Sequence, residues 1–132
     1  MSLHFTEFSV ATNFSELPGL IDEISRQARL RGLSDADSGR LQLVVEELFS
    51  NTIKHGFGGQ GQGLAHIGLS GSADHFTLRY TDSAPPFDTG KIVPNLPSTA
   101  SIGGLGLILM HGMARAVRYQ RCEPCNITEL DF

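Results

Sequence analysis

Apolar positions recur along the chain with two periods. Leu17, Leu20, Ile21, Ile24 and Ala28 return every three to four residues, which predicts an amphipathic helix; Pro18 falls in its tolerated first turn, Ser15 is its expected cap, and Gly32 ends it. Ser34-Asp35-Ala36-Asp37 then has the form of a capping box. It opens a second helix with Leu41, Val44, Val45, Leu48, Phe49 and Thr52 as its buried stripe, stopped by Gly56. Residues 3–11, 64–69 and 75–81 alternate with a period of two and predict strands, the first at an edge and carrying a bulge, the other two joined through 70–74. A short helix over 103–113 and a hairpin of 116–120 with 126–132, turning at Glu123-Pro124, complete the pattern. Elements in this order predict an α/β two-layer sandwich: a mostly antiparallel sheet covered on one face by helices.

Two segments interrupt the periodicity. Residues 57–63 are too rich in glycine for regular structure. Residues 82–102, with Pro85, Pro86, Pro94 and Pro97, form the longest irregular stretch, and loops of that length in compact domains are commonly functional. The 132 residues fit one domain, 1–132, with a core large enough to need no disulfide framework. Ten basic against fourteen acidic residues give a net charge of -4, which argues against a nucleic-acid binder held by bulk charge. No apolar run is long enough to span a bilayer and the first residues lack a signal-peptide pattern, so the expected location is cytoplasmic, without membrane attachment.

Three segments carry candidate chemistry. On the second helix Glu47, Asn51 and His55 stand four apart and share a face at the margin of the buried stripe, where a carboxylate and an amide can point into a cleft; Glu46 projects to solvent. At the start of the third helix, Gly103, Gly104, Leu105, Gly106 and Leu107 combine free N–H groups with little side-chain bulk, a setting that holds phosphate. Neither Walker A nor Rossmann spacing is present. Between them, Asp82, Ala84, Phe87 and Asp88 follow a strand, where an aspartate can accept from an exocyclic amine and Phe87 can supply apolar wall. Taken singly, each segment is equally a surface helix, a loop-to-helix turn or a Pro-rich turn. Cys122-Glu-Pro-Cys125, a single pair, reads as two thiols at the base of a hairpin rather than a metal site.

In their order and spacing, the three segments resemble the nucleotide-binding motifs of the GHKL ATPase superfamily, and most of all its anti-sigma-factor serine/threonine kinase branch. Glu47, Asn51 and His55-Gly56 match the first motif, Asp82, Ala84, Phe87 and Asp88 the second, and Gly103, Gly104, Gly106 and Leu107 the third. The resemblance implies a Bergerat fold that binds ATP with Mg²⁺, with residues 82–102 as a lid. It implies that Asn51 ligates Mg²⁺, Glu47 activates the attacking hydroxyl and Asp82 reads the adenine amine. It further implies a STAS-type anti-anti-sigma protein as substrate, a sigma factor as a further partner, and a homodimer among the assemblies an edge strand permits. Two other readings share these motifs: a non-catalytic ATP-gated binding module and a detached histidine-kinase catalytic domain. Ala84 departs from the family's glycine, and Asn126-Ile-Thr128 stands where the family has Gly-Thr.

Overall fold

A computed structural model of the chain describes residues 4–56, 63–86 and 102–132, with side chains at all of these but 55, 56 and 102–107. Five strands, β1 (Thr6–Ala11), β2 (Leu64–Ser72), β3 (His75–Asp82), β4 (Ala116–Cys122) and β5 (Cys125–Asp131), pair antiparallel in the order β1-β2-β3-β5-β4. Helices α1 (Leu17–Leu30), α2 (Asp35–Asn51) and α3 (Ile102–Met113) form the second layer, with α2 packed between the other two. The architecture is the expected antiparallel α/β sandwich.

One face of each strand meets the helices. Ala65, Ile67 and Leu69 of β2, Phe76, Leu78 and Tyr80 of β3, and Leu130 of β5 join Leu20, Ile24 and Ala28 of α1 and Leu41, Val44, Val45, Leu48 and Phe49 of α2 in one buried cluster. Both helical stripes therefore face the sheet as their periodicity requires, each large side chain contributing about 1.5–3 kcal/mol by leaving water. The Phe76 and Phe132 rings stack with centroids 4.8 Å apart. On the other face a row of alternating charge crosses the sheet: Glu7, Arg79, Glu129 and Arg118 occupy one register line, broken on β2 by Gly68. Phe5 fills the space above Gly68 and lies 3.9 Å from the Arg79 guanidinium.

Local details differ from the periodic reading. The first cap is Asn13, not Ser15: Asn13 is extended and its side chain accepts from the Ser15 N–H, opening a 3-10 turn over Phe14–Glu16 before α1 starts at Leu17. The Ser34 hydroxyl caps α2 as expected, accepting from the Asp37 N–H at 3.1 Å, while the Asp37 carboxylate pairs with Arg40. β1 pairs with β2 through six consecutive residues, so it is an edge strand without the expected bulge. The hairpin connection is also shorter: Ser72 pairs with His75, leaving a two-residue turn. That tightness requires Gly71, whose φ is +93° and where a Cβ would lie 2.2 Å from the His75 carbonyl oxygen.

At the end of β5 the Arg118 guanidinium donates to both oxygens of Asp131, at 2.6 and 2.8 Å. This pairing, with a further bond from Thr77, holds the Asp131 carboxyl down at about 2. A carboxyl depressed by folding stabilises the native state above its ordinary value and ceases to do so as pH falls through the depressed one. Asp131→Asn is expected to cost on the order of 1 kcal/mol at neutral pH, discounted for the half-exposed arginine. Urea unfolding of both proteins should find the difference vanishing as pH falls from the ordinary aspartate range to about 2; a pH-independent difference contradicts the pairing.

Candidate active site

Along α2, Glu47 and Asn51 stand one turn apart, about 6 Å in rise. Glu47 is half-buried and Glu46 exposed, as the phase of the stripe predicts. With Leu43, Val44, Leu109, Met110 and Met113, these two carboxylates line a cleft of about 130 Å³ between α2 and α3. Burial pushes the Glu47 carboxyl above the ordinary glutamate range; Lys54 opposes that shift and Glu46 adds to it. A carboxylate so placed takes a proton more readily than one in water.

Asn51 is only 5% exposed, and its Nδ2 finds no hydrogen-bond partner among the described residues. An unpaired buried amide costs about 1–3 kcal/mol, so such a group suits a ligand that would supply its partner. The two ends of an amide are interchangeable by rotation: one offers a donor to a phosphate oxygen, the other an oxygen to a cation. Among the described residues no three His, Cys, Asp or Glu side chains converge as a metal cage. One amide oxygen completed by phosphate oxygens and waters is a donor set that Mg²⁺ accepts, so the residues present fit that ion.

Past Asn51 the helix widens into a π turn over Thr52–Gly56, a distortion frequent at functional sites. The regular four-residue phasing thus stops before His55, whose side chain lies outside the described set. Thr52, on the buried stripe of α2 and with its N–H still bonded to the Leu48 carbonyl, faces the sheet. Its hydroxyl donates to Asp82 Oδ2 at 2.8 Å and to the Leu48 carbonyl at 3.0 Å, and it lies 2.7 Å from the Tyr80 hydroxyl. Thr52 has one proton facing two acceptors, which makes Tyr80 the donor in the third contact. Burial, reinforced by the Asp82 charge and opposed by the Thr52 bond, raises the Tyr80 phenol far above its usual range and keeps that proton in place.

Asp82, 8% exposed at the end of β3, is held from three sides: besides Thr52 on Oδ2, its Oδ1 accepts from Asn126 Nδ2 at 2.9 Å and from the Ala84 N–H at 3.2 Å. A carboxylate offers about four acceptor positions, so one on Oδ2 remains. Ala84 is buried, and its carbonyl accepts from Arg121 Nη1 at 2.8 Å and Asn126 at 3.2 Å. The structure therefore bonds Thr52, the residue after Asn51, to Asp82 on the sheet, while Glu47 lines the α2–α3 cleft one turn before Asn51.

The remaining sequence candidates are placed as follows. Gly103, Gly104, Leu105, Gly106 and Leu107 lie in the first turns of α3, where the N–H groups of residues 102–104 have no intrahelical acceptor. Phe87, Asp88 and the lid assignment for 87–101 lie outside the described residues. Thr128 is buried on β5. Cys122 and Cys125 are free thiols paired in register beside the hairpin turn. Sequence reasoning did not single out Asn126, Thr52 or Tyr80 as site residues. Thr52 read as part of an apolar stripe, and only its lone hydroxyl there hinted at a polar partner across the core.

A family model described as histidine kinase-like ATPase domain matches residues 10–132. Among solved structures, the fold is similar to the RsbU and RsbW domains of Rv1364c from Mycobacterium tuberculosis. The TM-score is 0.66 at 10% identity, over 97% of this chain and 32% of that one, so this chain spans about a third of that protein's solved length. No curated protein matches the sequence.

Proposed function

The chain belongs to the histidine kinase-like ATPase domain family, and from that premise we propose that residues 1–132 act as an ATP-dependent serine/threonine protein kinase of the anti-sigma type. The observation that carries this reading is the buried Asn51 amide, whose Nδ2 has no partner among the described residues, one helical turn after the proton-affine Glu47 and next in sequence to Thr52, which bonds to Asp82. The substrate is a STAS-type antagonist protein, with a sigma factor as a second partner. Support comes from the order of the three motifs and from the likeness of fold to a chain that contains an RsbW domain.

Each residue has a separate duty. Asp82 accepts from the exocyclic amine of adenine through the free position on Oδ2. The N–H groups at the start of α3, where Gly103, Gly104 and Gly106 let an anion approach, bind phosphate oxygens. Asn51 would hold Mg²⁺, which when bound neutralises phosphate charge. Glu47 takes the proton from the attacking seryl or threonyl hydroxyl as the oxygen–phosphorus bond forms and the bond to ADP breaks. Among the described residues no helix is long and apolar enough to cross a membrane.

Thermal shift with ATP, ADP and GTP, with and without Mg²⁺, tests the reading. A ligand bound only to the native state contributes about 2.7 kcal/mol at a hundredfold excess over its dissociation constant. ATP with Mg²⁺ is expected to raise the melting temperature most and GTP least, because the guanine six-position carbonyl cannot donate to Asp82. Equal shifts contradict the adenine assignment, and no shift with any nucleotide removes the function. Transfer of labelled phosphate to a STAS-type protein separates kinase from binding module: a chain that binds ATP and that partner without transferring phosphate is the latter.

A further inference from the structure

The bonds around Asp82 identify a residue on which its duty depends. Asn126, the second residue of β5, lies in register with Asp82, is only 5% exposed, and sits between two sets of groups of opposite hydrogen-bonding character. Its Oδ1 accepts from the Tyr119 hydroxyl and from Arg121 Nη1 at 3.3 Å. Its Nδ2 donates to Asp82 Oδ1 at 2.9 Å and to the carbonyls of Ala84 and Pro85 at 3.2 and 3.0 Å. Donors on one side and acceptors on the other leave a single orientation for the amide, because the flipped form would set N–H against N–H and oxygen against oxygen. The amide therefore behaves as a fixed part of the sheet.

Resting on the proposed adenine role of Asp82, we infer that Asn126 is a positioning residue that confers the preference for adenine. It acts in two ways. By occupying Oδ1 it sets the rotation of the Asp82 carboxylate, so that the one free acceptor position lies on Oδ2. By holding the Ala84 and Pro85 carbonyls, with Arg121 as a second support on Ala84, it fixes the path of the chain leaving β3, at the position where the family's glycine is an alanine. Without Asn126, Asp82 keeps Thr52 and the Ala84 N–H but can rotate, and its bond to an incoming amine is no longer prearranged.

Calorimetry with Mg-ATP and Mg-GTP on the full chain tests this. Asn126→Ala is expected to weaken ATP binding about tenfold, the scale of one charge-assisted hydrogen bond. GTP, which gains nothing from the amine acceptor, is expected to change by less than about twofold on the same argument. The ATP-to-GTP preference therefore collapses. A purely structural role would lower the melting temperature of the free chain and weaken both nucleotides in parallel, and that result overturns the inference. Asn126→Asp has nearly the same shape, places a second carboxylate against Asp82, and is expected to lose more ATP affinity than the alanine variant. Tyr119→Phe, on the edge strand, frees one side of the amide and is expected to reduce the preference by about two- to threefold, which keeps the test open if an Asn126 variant does not fold. Unchanged preference in the variants that fold overturns the inference. A wild-type chain that does not distinguish ATP from GTP shows instead that Asp82 does not read adenine.

Discussion

Glu47→Gln is expected to leave ATP binding within about threefold of wild type and to lower phosphate transfer to the protein substrate by about 10²- to 10⁴-fold, the usual reach of a general base. Glutamine keeps the volume and the polar end of the side chain in the cleft between α2 and α3, so the proposed Mg²⁺ ligand Asn51 and the proposed phosphate site at the start of α3 are left as they are. What it cannot do is take a proton. The wild-type pH profile supplies a second signature. Because burial raises the Glu47 carboxyl, the base form and the rate should be lost as pH falls through a value above the ordinary glutamate range. In the glutamine variant that acid limb should be absent. Glu46→Ala is the control: Glu46 is exposed at the rim of the same cleft, and its loss should leave nucleotide binding and the plateau rate of transfer unchanged while moving the acid limb slightly to lower pH, since its charge adds to the Glu47 shift. Equal loss in the Glu46 and Glu47 variants, or full transfer by Glu47→Gln, removes Glu47 from the chemistry.

Asp82→Asn is expected to weaken ATP binding by about 10²- to 10³-fold, because a charge-assisted bond of about 1.5–3 kcal/mol is lost and a donor worth about 1–3 kcal/mol is left facing a donor. The fold should survive. The new amide oxygen still accepts from the Ala84 N–H and Asn126, while the new NH₂ meets Thr52, whose single proton can turn wholly to the Leu48 carbonyl. Thr52 Oγ1 then accepts from both Tyr80 and the amide, so the existing partners of Asp82 all stay hydrogen-bonded and only the second N–H of the new amide is left open. The remaining N–H points where adenine presents its amine and where hypoxanthine presents a carbonyl. Inosine triphosphate should therefore bind the variant better than ATP, reversing the wild-type order, as calorimetry would measure. Wild-type ATP affinity in Asp82→Asn would place adenine recognition elsewhere in the chain.

The local code was strong enough to set the helices, their phase and most of the strands. Leu41, Val44, Val45, Leu48 and Phe49 are buried because only one rotation of α2 removes them all from water, and that same rotation brings Asn51 to the margin of the core and leaves Glu46 outside. Where two local solutions compete, sequence decided less well. Asn13 rather than Ser15 begins the first helical segment, because both side chains can satisfy nearby N–H groups and the choice turns on the path by which β1 arrives. The π turn after Asn51 has no periodic signature, since it inserts into a helix whose hydrophobic spacing is already satisfied.

Position in the sheet was decided at longer range. A hairpin of β4 and β5 can dock on β3 through either strand, and the turn that joins them carries no information about which. In the structure β5 is inside and β4 is the edge: Asn126, Thr128 and Leu130 of β5 are buried, whereas β4 keeps Arg118 and Gln120 in solvent. That choice sets Asn126 opposite Asp82, 44 residues away in the chain, and brings Arg121 to the Ala84 carbonyl. The sequence by itself determined the amphipathic elements, the spacing of Glu47 and Asn51, and the motifs of the family, all of which depend on neighbours within a turn or two. Only the tertiary structure decided how Asp82 is held, because beyond the local Ala84 N–H its partners, Thr52 at the end of α2 and Asn126 on β5, meet it only when the sheet order and register are complete.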